Sequence, residues 1–140
     1  MDEYPKAYLY RRIVQSKLYI DENFAESIDL AQIADEAVFS KFHFTRLFKK
    51  IYGKTPHQYL TSVRIQKAKD LLKNGMAVHN VCYSVGFESI SSFTELFKRM
   101  VGYTPSDFQI QQRQALAELQ TVPLKFIPNC FVEKLAKLAI

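Results

Sequence analysis

The sequence predicts an all-α protein, and two observations support this fold class. Apolar residues recur at helical spacing along most of the chain, and the four glycines and five prolines fall mostly where predicted helices end. In addition, the chain contains one segment twice: FTRLFKKIYGKTP at residues 44–56 returns as FTELFKRMVGYTP at residues 93–105. A repeat of this kind indicates two copies of one supersecondary unit.

The amino-terminal segment predicts a helix of its own. Pro5 lies where a proline in the first helical turn is tolerated. Apolar residues then follow at helical spacing, so we expect a helix over about residues 6–22. The apolar positions that predict it are Tyr8, Leu9, Ile13, Leu18 and Tyr19.

The first copy of the repeated unit begins with a short helix. Asp29 and Gln32 have the spacing of a capping box at its start. A three-residue corner, Val38-Phe39-Ser40, leads to a second helix over about residues 41–52, which Ser40 caps and Gly53 ends. The residues expected to face inwards are Leu30, Ile33, Ala34 and Ala37, then Phe44, Leu47, Phe48 and Ile51.

The second copy repeats this arrangement. VHNVCYSVGF at residues 78–87 corresponds to LAQIADEAVF at residues 30–39, and Gly86-Phe87 forms the corner before a helix over about residues 90–101. A short helix, a tight corner and a second helix of similar length form a helix-turn-helix. Gly102 ends the second helix, and the expected inward residues are Val78, Val81, Cys82 and Val85, then Phe93, Leu96, Phe97 and Met100.

A long helix is expected to connect the two copies. Thr-Pro follows each copy and places a capping hydroxyl before a proline at the first helical position. The helix from Pro56 to about Lys73 would be roughly 27 Å long. A rigid helix of this length could hold two reading helices in adjacent major grooves, which lie about 34 Å apart. The predicted divisions are a first helix-turn-helix subdomain (6–55), a linker helix (56–74), a second subdomain (75–119) and a tail of uncertain role (120–140).

Charge is distributed unevenly along the chain. Residues 1–40 carry four Lys or Arg against eight Asp or Glu, whereas residues 41–73 carry nine against one. The basic segment covers the second helix of the first copy and the linker helix. We therefore interpret it as an electrostatic footprint on a phosphate backbone rather than as an ordinary solvated surface.

Other classes of protein are disfavoured by the sequence. No run of 18 apolar residues predicts a membrane span, and the acidic start is unlike a signal peptide. Cys82 and Cys130 have neither metal-binding nor redox spacing and fit a reducing cytoplasm, with Cys82 as a small core residue. We expect no cofactor, no metal and no catalytic site, because the sequence shows neither clustered carboxylates nor an activated nucleophile.

Both copies resemble one family of DNA-binding proteins. VHNVCYSVGFESISSFTELFKRMVGYTPSDF at residues 78–108 and IDLAQIADEAVFSKFHFTRLFKKIYGKTPHQYL at residues 28–60 resemble the DNA-binding domain of AraC/XylS-type bacterial transcription regulators. The resemblance covers about residues 8–112. It implies seven helices, with two helix-turn-helix subdomains joined by the long central helix. It also implies sequence-specific promoter binding, as an activator or less often a repressor. Double-stranded DNA is therefore the expected partner, and RNA polymerase is a further candidate.

The resemblance assigns roles to exposed residues of each second helix. Positions that face bases in such regulators are occupied by Lys41, Phe42, Thr45 and Arg46 in the first copy and by Ile90, Ser91, Thr94 and Glu95 in the second. Arg46 suits guanine O6 and N7, while Phe42 and Ile90 suit thymine methyl groups. Phosphate contacts, which position a protein without specifying a sequence, are expected from Ser40, Lys49, Lys50, Lys54, Ser89, Ser92, Lys98 and Arg99.

Two residues depart from the family pattern. Glu95 lies where a basic residue is common. Its carboxylate repels phosphate but accepts a hydrogen bond from cytosine N4, so either it reads a base or the second helix binds weakly. Val38 occupies the corner position that Gly86 holds in the second copy. If that corner needs a positive φ, a β-branched residue there costs about 1–2 kcal/mol, and the first corner would differ in shape.

The tail from about residue 120 lies outside the family pattern. Phe131, Leu135 and Leu138 form an apolar stripe at helical spacing. Three roles stay open for it. The tail could fold back on its own domain, or it could provide a surface for self-association or a partner. A membrane-surface helix is disfavoured, because only Lys134 and Lys137 supply positive charge to this helix.

Three function classes follow from these patterns. The leading hypothesis is a transcription regulator that places two recognition helices in adjacent major grooves. The alternative is an interaction module that acts mainly through RNA polymerase or a partner regulator. A steep salt dependence of DNA binding would favour the first, and its absence the second. An enzyme, such as a DNA-repair protein with an appended domain of this type, is disfavoured by the missing catalytic pattern. The chain is expected to be either a stand-alone regulator or the carboxyl-terminal part of a longer protein.

Overall fold

The computed structural model describes residues 3–36 and 41–121, and within these ranges it contains seven α-helices. The all-α prediction is confirmed. In chain order the helices are α1 (Glu3–Asn23), α2 (Leu30–Glu36), α3 (Lys41–Tyr52), α4 (Pro56–Lys73), α5 (Val78–Ser84), α6 (Ile90–Val101) and α7 (Pro105–Thr121). The bounds of α3, α4 and α6 agree with the predicted ones, and α1 extends beyond the predicted 6–22 at both ends.

The chain forms two compact units, and their boundary lies inside α4, between Gln66 and Lys67. The first unit contains α1, α2, α3 and the first part of α4. The second contains the remainder of α4 with α5, α6 and α7. Each unit therefore contains one of the two short helices α2 and α5, the 12-residue helix that follows it in the chain, and part of the long helix.

The core of the first unit is built from one face of each of its helices. Ile13 and Ile20 of α1 meet Phe44 and Phe48 of α3 and Leu60 of α4, and all five side chains are buried. Burying a side chain of this size contributes about 1.5–3 kcal/mol. Partly buried residues from α2 and the neighbouring turns pack around this cluster, among them Phe24, Ile28, Leu30 and Ile33.

The core of the second unit is likewise built from side chains on several helices, here α4, α5, α6 and α7. The buried side chains are Ala68, Leu72, Val81, Cys82, Val85, Phe93, Phe97 and Phe108. The inward positions predicted for Val81, Cys82, Val85, Phe93 and Phe97 are confirmed. Burial raises the pKa of the Cys82 thiol, so this residue stays neutral and serves as a small core side chain.

One expectation about packing is wrong, and α1 buries a face that the sequence did not specify. Met100 was expected to face inwards but is 45% exposed, because the buried stripe of α6 runs from Phe93 to Phe97 at intervals of four and leaves position 100 at its margin. In α1, Ile13 is fully buried, whereas Tyr8, Leu18 and Tyr19 are more than 40% exposed. The buried face of that helix instead includes Ser16, whose hydroxyl donates to the Arg12 carbonyl at 2.8 Å.

The predicted helix starts are confirmed where the structure describes them. The Gln32 N–H donates to Asp29 Oδ1 at 3.1 Å. At the start of α4, Thr55 and Gln58 form a reciprocal capping box, with bonds of 3.2 and 3.0 Å. The Asp107 N–H donates to Thr104 Oγ1 at 3.2 Å at the start of α7.

Some predictions lie outside the described residues. These are the corner Val38-Phe39-Ser40, the cap expected from Ser40, the inward side chains of Ala34 and Ala37, and the tail beyond residue 121. Of the helices within residues 3–36 and 41–121, none has the length and apolar character needed to cross a membrane.

Candidate nucleic-acid interface

Helix α3 has one buried and one exposed face. Phe44 and Phe48, one turn apart, are 2% and 0% exposed and form the buried face. On the other side Phe42 is 81% exposed, and Arg46 is also exposed. The predicted base-reading residue Thr45 lies between the two faces and is half-buried, and the side chain of Lys41 lies outside the described residues.

Cationic side chains surround the exposed face of α3. Lys49, Lys50 and Lys54 are all exposed, as their expected role at phosphates requires. Lys49 and Lys50 lie in the last turn of the helix, where positive charge also interacts favourably with the helix dipole. The helix ends at Gly53, whose N–H donates to the Lys49 carbonyl at 2.7 Å.

Aromatic packing fixes α3 against the start of α4. The ring of Phe48 lies 4.9 Å from that of Tyr52 and 5.7 Å from that of Tyr59, measured between centroids. Phe44 lies 6.1 Å from Phe48 on the same helix. Tilted and edge-on pairs at these distances contribute about 0.5–1.5 kcal/mol each beyond the area that they bury. Helix α3 is therefore held by rings on its own buried face and on α4.

A polar cluster connects the same rings to α1. The Tyr59 hydroxyl donates to Asp21 Oδ1 at 2.5 Å, and Lys17 Nζ lies 2.7 Å from Asp21 Oδ2. Partial burial and the bond to Asp21 raise the pKa of the Tyr59 phenol, and the bond to Asp21 raises the pKa of Lys17. Arg64 adds a further connection, because its guanidinium donates to the Phe24 and Glu26 carbonyls at 2.7 and 3.0 Å.

Helix α6 repeats the division into two faces. Phe93 and Phe97 are fully buried, while Ile90 is 42% exposed and Ser91 and Glu95 are exposed. Thr94, like Thr45 in the first unit, is half-buried. Near the end of the helix Lys98 and Arg99 are exposed, as expected for phosphate contacts.

Serines at the start of α6 combine two properties. Ser89 is the N-cap, and its hydroxyl oxygen accepts from the Ser92 N–H at 3.3 Å. Both residues are exposed. Because the cap uses Ser89 as an acceptor, its hydroxyl proton is still available for donation to an anionic oxygen. The cap is therefore compatible with the phosphate role expected of Ser89.

The corner between α5 and α6 requires a left-handed backbone. Gly86 has φ of 97°, and its N–H donates to the Tyr83 carbonyl at 3.2 Å. The next N–H, of Phe87, donates back to the Cys82 carbonyl at 3.1 Å. This pair of bonds is a Schellman motif, which favours glycine because other residues are strained at positive φ.

Helix α6 is held by aromatic packing and by one amide. Phe93 lies 5.7 Å from Phe97, which lies 5.5 Å from Phe108 of α7. The Gln109 amide donates to the Leu72 and Met76 carbonyls at 3.1 and 2.8 Å, and so connects α7 to the end of α4. Neither this amide nor the similar role of Arg64 was predicted, since a bond across more than 30 residues leaves no local pattern.

Tyr103 is an exposed residue near α6 that the predicted phosphate contacts do not include. It is 47% exposed and occupies, at the offset of 49, the position that Lys54 holds in the first copy. Its phenol is a donor suited to a phosphate oxygen. The repeated segments 44–56 and 93–105 pair it with Lys54, and this correspondence is the signal that points to it.

Comparison with known proteins identifies the family. A family model described as a helix-turn-helix domain matches residues 33–111, more than half of the chain. The chain belongs to the AraC-type helix-turn-helix family. Its fold also matches a crystal structure of the DNA-binding domain of AdpA in complex with a target DNA, with 26% identity and a TM-score of 0.68 over 73% of this chain and 93% of that one.

Two curated relatives of this AraC-type chain are named as activators. It is 38% identical over 92 residues, or 65% of its length, to the bifunctional transcriptional activator/DNA repair enzyme AdaA of Bacillus subtilis. It is 32% identical over 108 residues, or 76% of its length, to the transcriptional activator RhaS of Citrobacter koseri. The chain spans less than half the length of each relative, 44% of AdaA and 38% of RhaS.

Proposed function

We propose that this AraC-type domain binds specific promoter sequences in the bacterial cytoplasm and activates transcription from them. The observation that carries the proposal is the division of α3 and α6 into two faces. Each helix buries two phenylalanines, Phe44 and Phe48 in α3 and Phe93 and Phe97 in α6, and leaves polar, cationic and apolar side chains exposed on the other side. A helix that is exposed in this way after a tight corner is the reading element of a helix-turn-helix.

In the first unit, α3 enters the major groove with Phe42 and Arg46 towards the bases. Arginine forms two hydrogen bonds to guanine O6 and N7, and such a pair contributes about 1–3 kcal/mol of discrimination against another base. Lys49, Lys50 and Lys54 bind phosphates along the groove and determine the register of the helix. Thr45, being half-buried, contributes a short-range contact through its hydroxyl.

In the second unit, α6 presents a different surface. Ile90 suits a thymine methyl group, Ser91 and Thr94 supply hydroxyls, and Glu95 accepts from cytosine N4. Lys98 and Arg99 follow Glu95 by three and four residues and therefore lie next to it on the helix. Their charges offset the repulsion between the carboxylate and the phosphates, so Glu95 can approach the groove.

The duplicated units predict an asymmetric site. Because α3 and α6 carry unlike residues on one chain, the preferred DNA contains two unlike elements and need not be a palindrome. We propose a spacing of about one helical turn between the two elements, because recognition helices that read the same side of a duplex enter the major groove one turn apart.

The relatives support activation as the output. Both AdaA and RhaS are named as transcriptional activators, and RNA polymerase is the partner that we propose for this chain at the promoter. AdaA is also named as a DNA repair enzyme. We propose binding and no catalytic step for this chain, because the match lies in a helix-turn-helix domain and the chain spans 44% of AdaA.

Selection of bound sequences from a pool of random duplexes tests the proposal. We expect two short conserved elements of different sequence, both protected when the full chain is footprinted on the selected duplex. Inserting five base pairs between them turns the second element to the opposite side of the helix, and its protection should be lost. Recovery of no preferred sequence would refute the proposal, and unchanged protection after the insertion would refute the coupling of the two elements.

The alternative of an interaction module predicts a different result. In that case the chain would bind duplex DNA weakly, with little dependence on salt, and would bind RNA polymerase without DNA. The exposed Lys49, Lys50 and Lys54 favour the DNA-binding proposal, because each cation that neutralises a phosphate adds about 0.9 to the salt slope.

A further inference from the structure

Phe42 is the most exposed large apolar side chain among the described residues, at 81%. It is the second residue of α3, two positions before the buried Phe44. A phenyl ring in this position contributes nothing to the core of its own unit. Its exposure on a reading helix instead suits a contact with an apolar group of the major groove, where the bases offer one such group, the 5-methyl of thymine.

Arg46 lies one helical turn after Phe42 and is also exposed. Side chains four residues apart have Cβ atoms about 5–6 Å apart on the same face of a helix. Successive base pairs of B-DNA are about 3.4 Å apart. The two side chains therefore reach neighbouring base pairs, with the guanidinium on a guanine and the ring beside it.

The second copy provides an internal comparison. At the offset of 49, Ser91 and Glu95 occupy the positions of Phe42 and Arg46, while Thr45 and the buried Phe44 are repeated as Thr94 and Phe93. The buried phenylalanine and the half-buried threonine are thus the same in both copies, whereas both exposed residues differ between the copies. An apolar and a cationic residue occur together in one copy, and a hydroxyl and an anionic residue occur together in the other.

A phenyl ring responds to a methyl group and not to the hydrogen-bonding atoms beside it. Thymine carries O4 next to its methyl, whereas cytosine carries an N4 amino group there. Phenylalanine has no donor or acceptor with which to distinguish these two atoms. A 5-methylcytosine presents the same methyl as thymine, so the ring would bind either base.

We propose that Phe42 and Arg46 together recognise a 5-methylpyrimidine next to a guanine. At this position 5-methylcytosine is recognised as thymine is. The inference rests on the proposed DNA-binding function and specifies what the first unit recognises. It makes binding of this chain sensitive to a chemical modification of its site as well as to base sequence.

The test uses the full chain and synthetic duplexes of the selected sequence. Each thymine is replaced in turn by deoxyuridine, which removes only the methyl group, and each cytosine by 5-methylcytosine, which adds it. The guanine that Arg46 contacts is the one that the Arg46→Ala variant no longer distinguishes from other bases. At one thymine next to this guanine, we expect deoxyuridine to weaken binding about fourfold. This factor corresponds to about 0.8 kcal/mol, the contribution of one buried carbon. With cytosine at that pyrimidine, methylation should tighten binding by a similar factor.

Three variants establish which side chain is responsible. In Phe42→Ala, the ratio of the affinities for the thymine and deoxyuridine duplexes should fall to about one. The ratio of the affinities for the 5-methylcytosine and cytosine duplexes should do the same. Because Phe42 is 81% exposed, this change removes no core contact and the variant should fold normally. Tyr83→Ala, which removes a 56% exposed aromatic residue of α5, should keep both ratios, and Ile90→Ala should keep them at this pyrimidine.

The possible outcomes separate the two proposals. A selected site that tolerates deoxyuridine at every thymine, and methylation at every cytosine, would overturn the methyl reader and leave the proposed function intact. Ratios that persist in Phe42→Ala would also overturn it. A response to deoxyuridine without a response to 5-methylcytosine would show that O4 is read and would overturn the equivalence of the two bases. Failure to select any sequence would overturn the proposed function and this inference with it.

Discussion

Replacing Arg46 by alanine separates base reading from phosphate binding. Arg46 is exposed on α3, so the substitution removes no buried contact, and the free energy of unfolding should change by less than about 0.5 kcal/mol. If its guanidinium contacts guanine, binding to the preferred duplex should lose about 1–3 kcal/mol, a factor of about 5–150. Binding to random duplex should lose much less, and a guanine-to-adenine change at the contacted pair should no longer matter to the variant.

Lys50→Ala is the matched comparison, because Lys50 is exposed on the same helix. Loss of a phosphate contact should weaken binding to all sequences by a similar factor and reduce the salt slope by about one unit. The assay is an anisotropy titration of both variants against the preferred duplex, its guanine variant and a random duplex. If Arg46→Ala weakens preferred and random duplexes equally, Arg46 contacts phosphate and the base assignment is wrong.

Three further substitutions test other parts of the account. Glu95→Arg should steepen the salt slope by about one unit but weaken protection of the second element, because the bond that Glu95 accepts from cytosine N4 is lost, and stronger protection of that element would show that the carboxylate reads no base. Tyr59→Phe should cost about 1–2 kcal/mol of unfolding free energy, and adding Asp21→Asn should cost only about 0.2–0.5 kcal/mol more, from the ion pair with Lys17, because the bond between Tyr59 and Asp21 is already broken. Since the pKa of Tyr59 is raised on folding, this stabilisation is present at neutral pH and should disappear as alkaline pH ionises the folded phenol, which urea unfolding at several pH values would detect. Gly102→Ala should cost about 1–2 kcal/mol through backbone strain alone, since φ is 96° and no atom lies within 4 Å of the added Cβ, and a neutral result in thermal unfolding would contradict that reading.

Much of the fold follows from local patterns in the sequence. The bounds of α3, α4 and α6 were predictable because Thr55-Pro56 marks a helix start and Gly53 and Gly102 mark helix ends through capping chemistry. The burial of Phe44, Phe48, Phe93 and Phe97 followed from their spacing along each helix. The same spacing in both copies of the repeat supported the prediction for each of them. Patterns of this kind work because capping and amphipathic burial depend on residues only a few positions apart.

The contacts that connect the helices were not predictable in the same way. The bonds of Tyr59 to Asp21 and of Gln109 to the Leu72 carbonyl join residues more than 30 positions apart, and either polar residue could equally have faced solvent. The buried face of α1 was not predictable for a related reason. Its tyrosines and leucines mark the helix correctly, but apolar residues occur on both faces and periodicity alone does not say which face is buried.

The candidate interface was predictable in outline and less so in detail. The exposure of Phe42, Arg46, Ile90 and Glu95 agrees with their predicted positions opposite the buried stripe. Thr45 and Thr94 are half-buried in both copies, because these positions border the core-facing side of each helix. Which base each side chain contacts depends on docking to DNA and stays a prediction.

The central claim is that α3 and α6 bind duplex DNA in a sequence-specific manner, and a salt titration with two duplexes tests it most directly. Five exposed cations are assigned to phosphates, Lys49, Lys50, Lys54, Lys98 and Arg99. At about 0.9 per phosphate, log K should fall with log salt by a slope of about four to five. The selected duplex should bind at least about a thousandfold more tightly than a scrambled duplex of the same composition. A flat salt response, or equal affinity for the two duplexes at every salt concentration, would contradict the account.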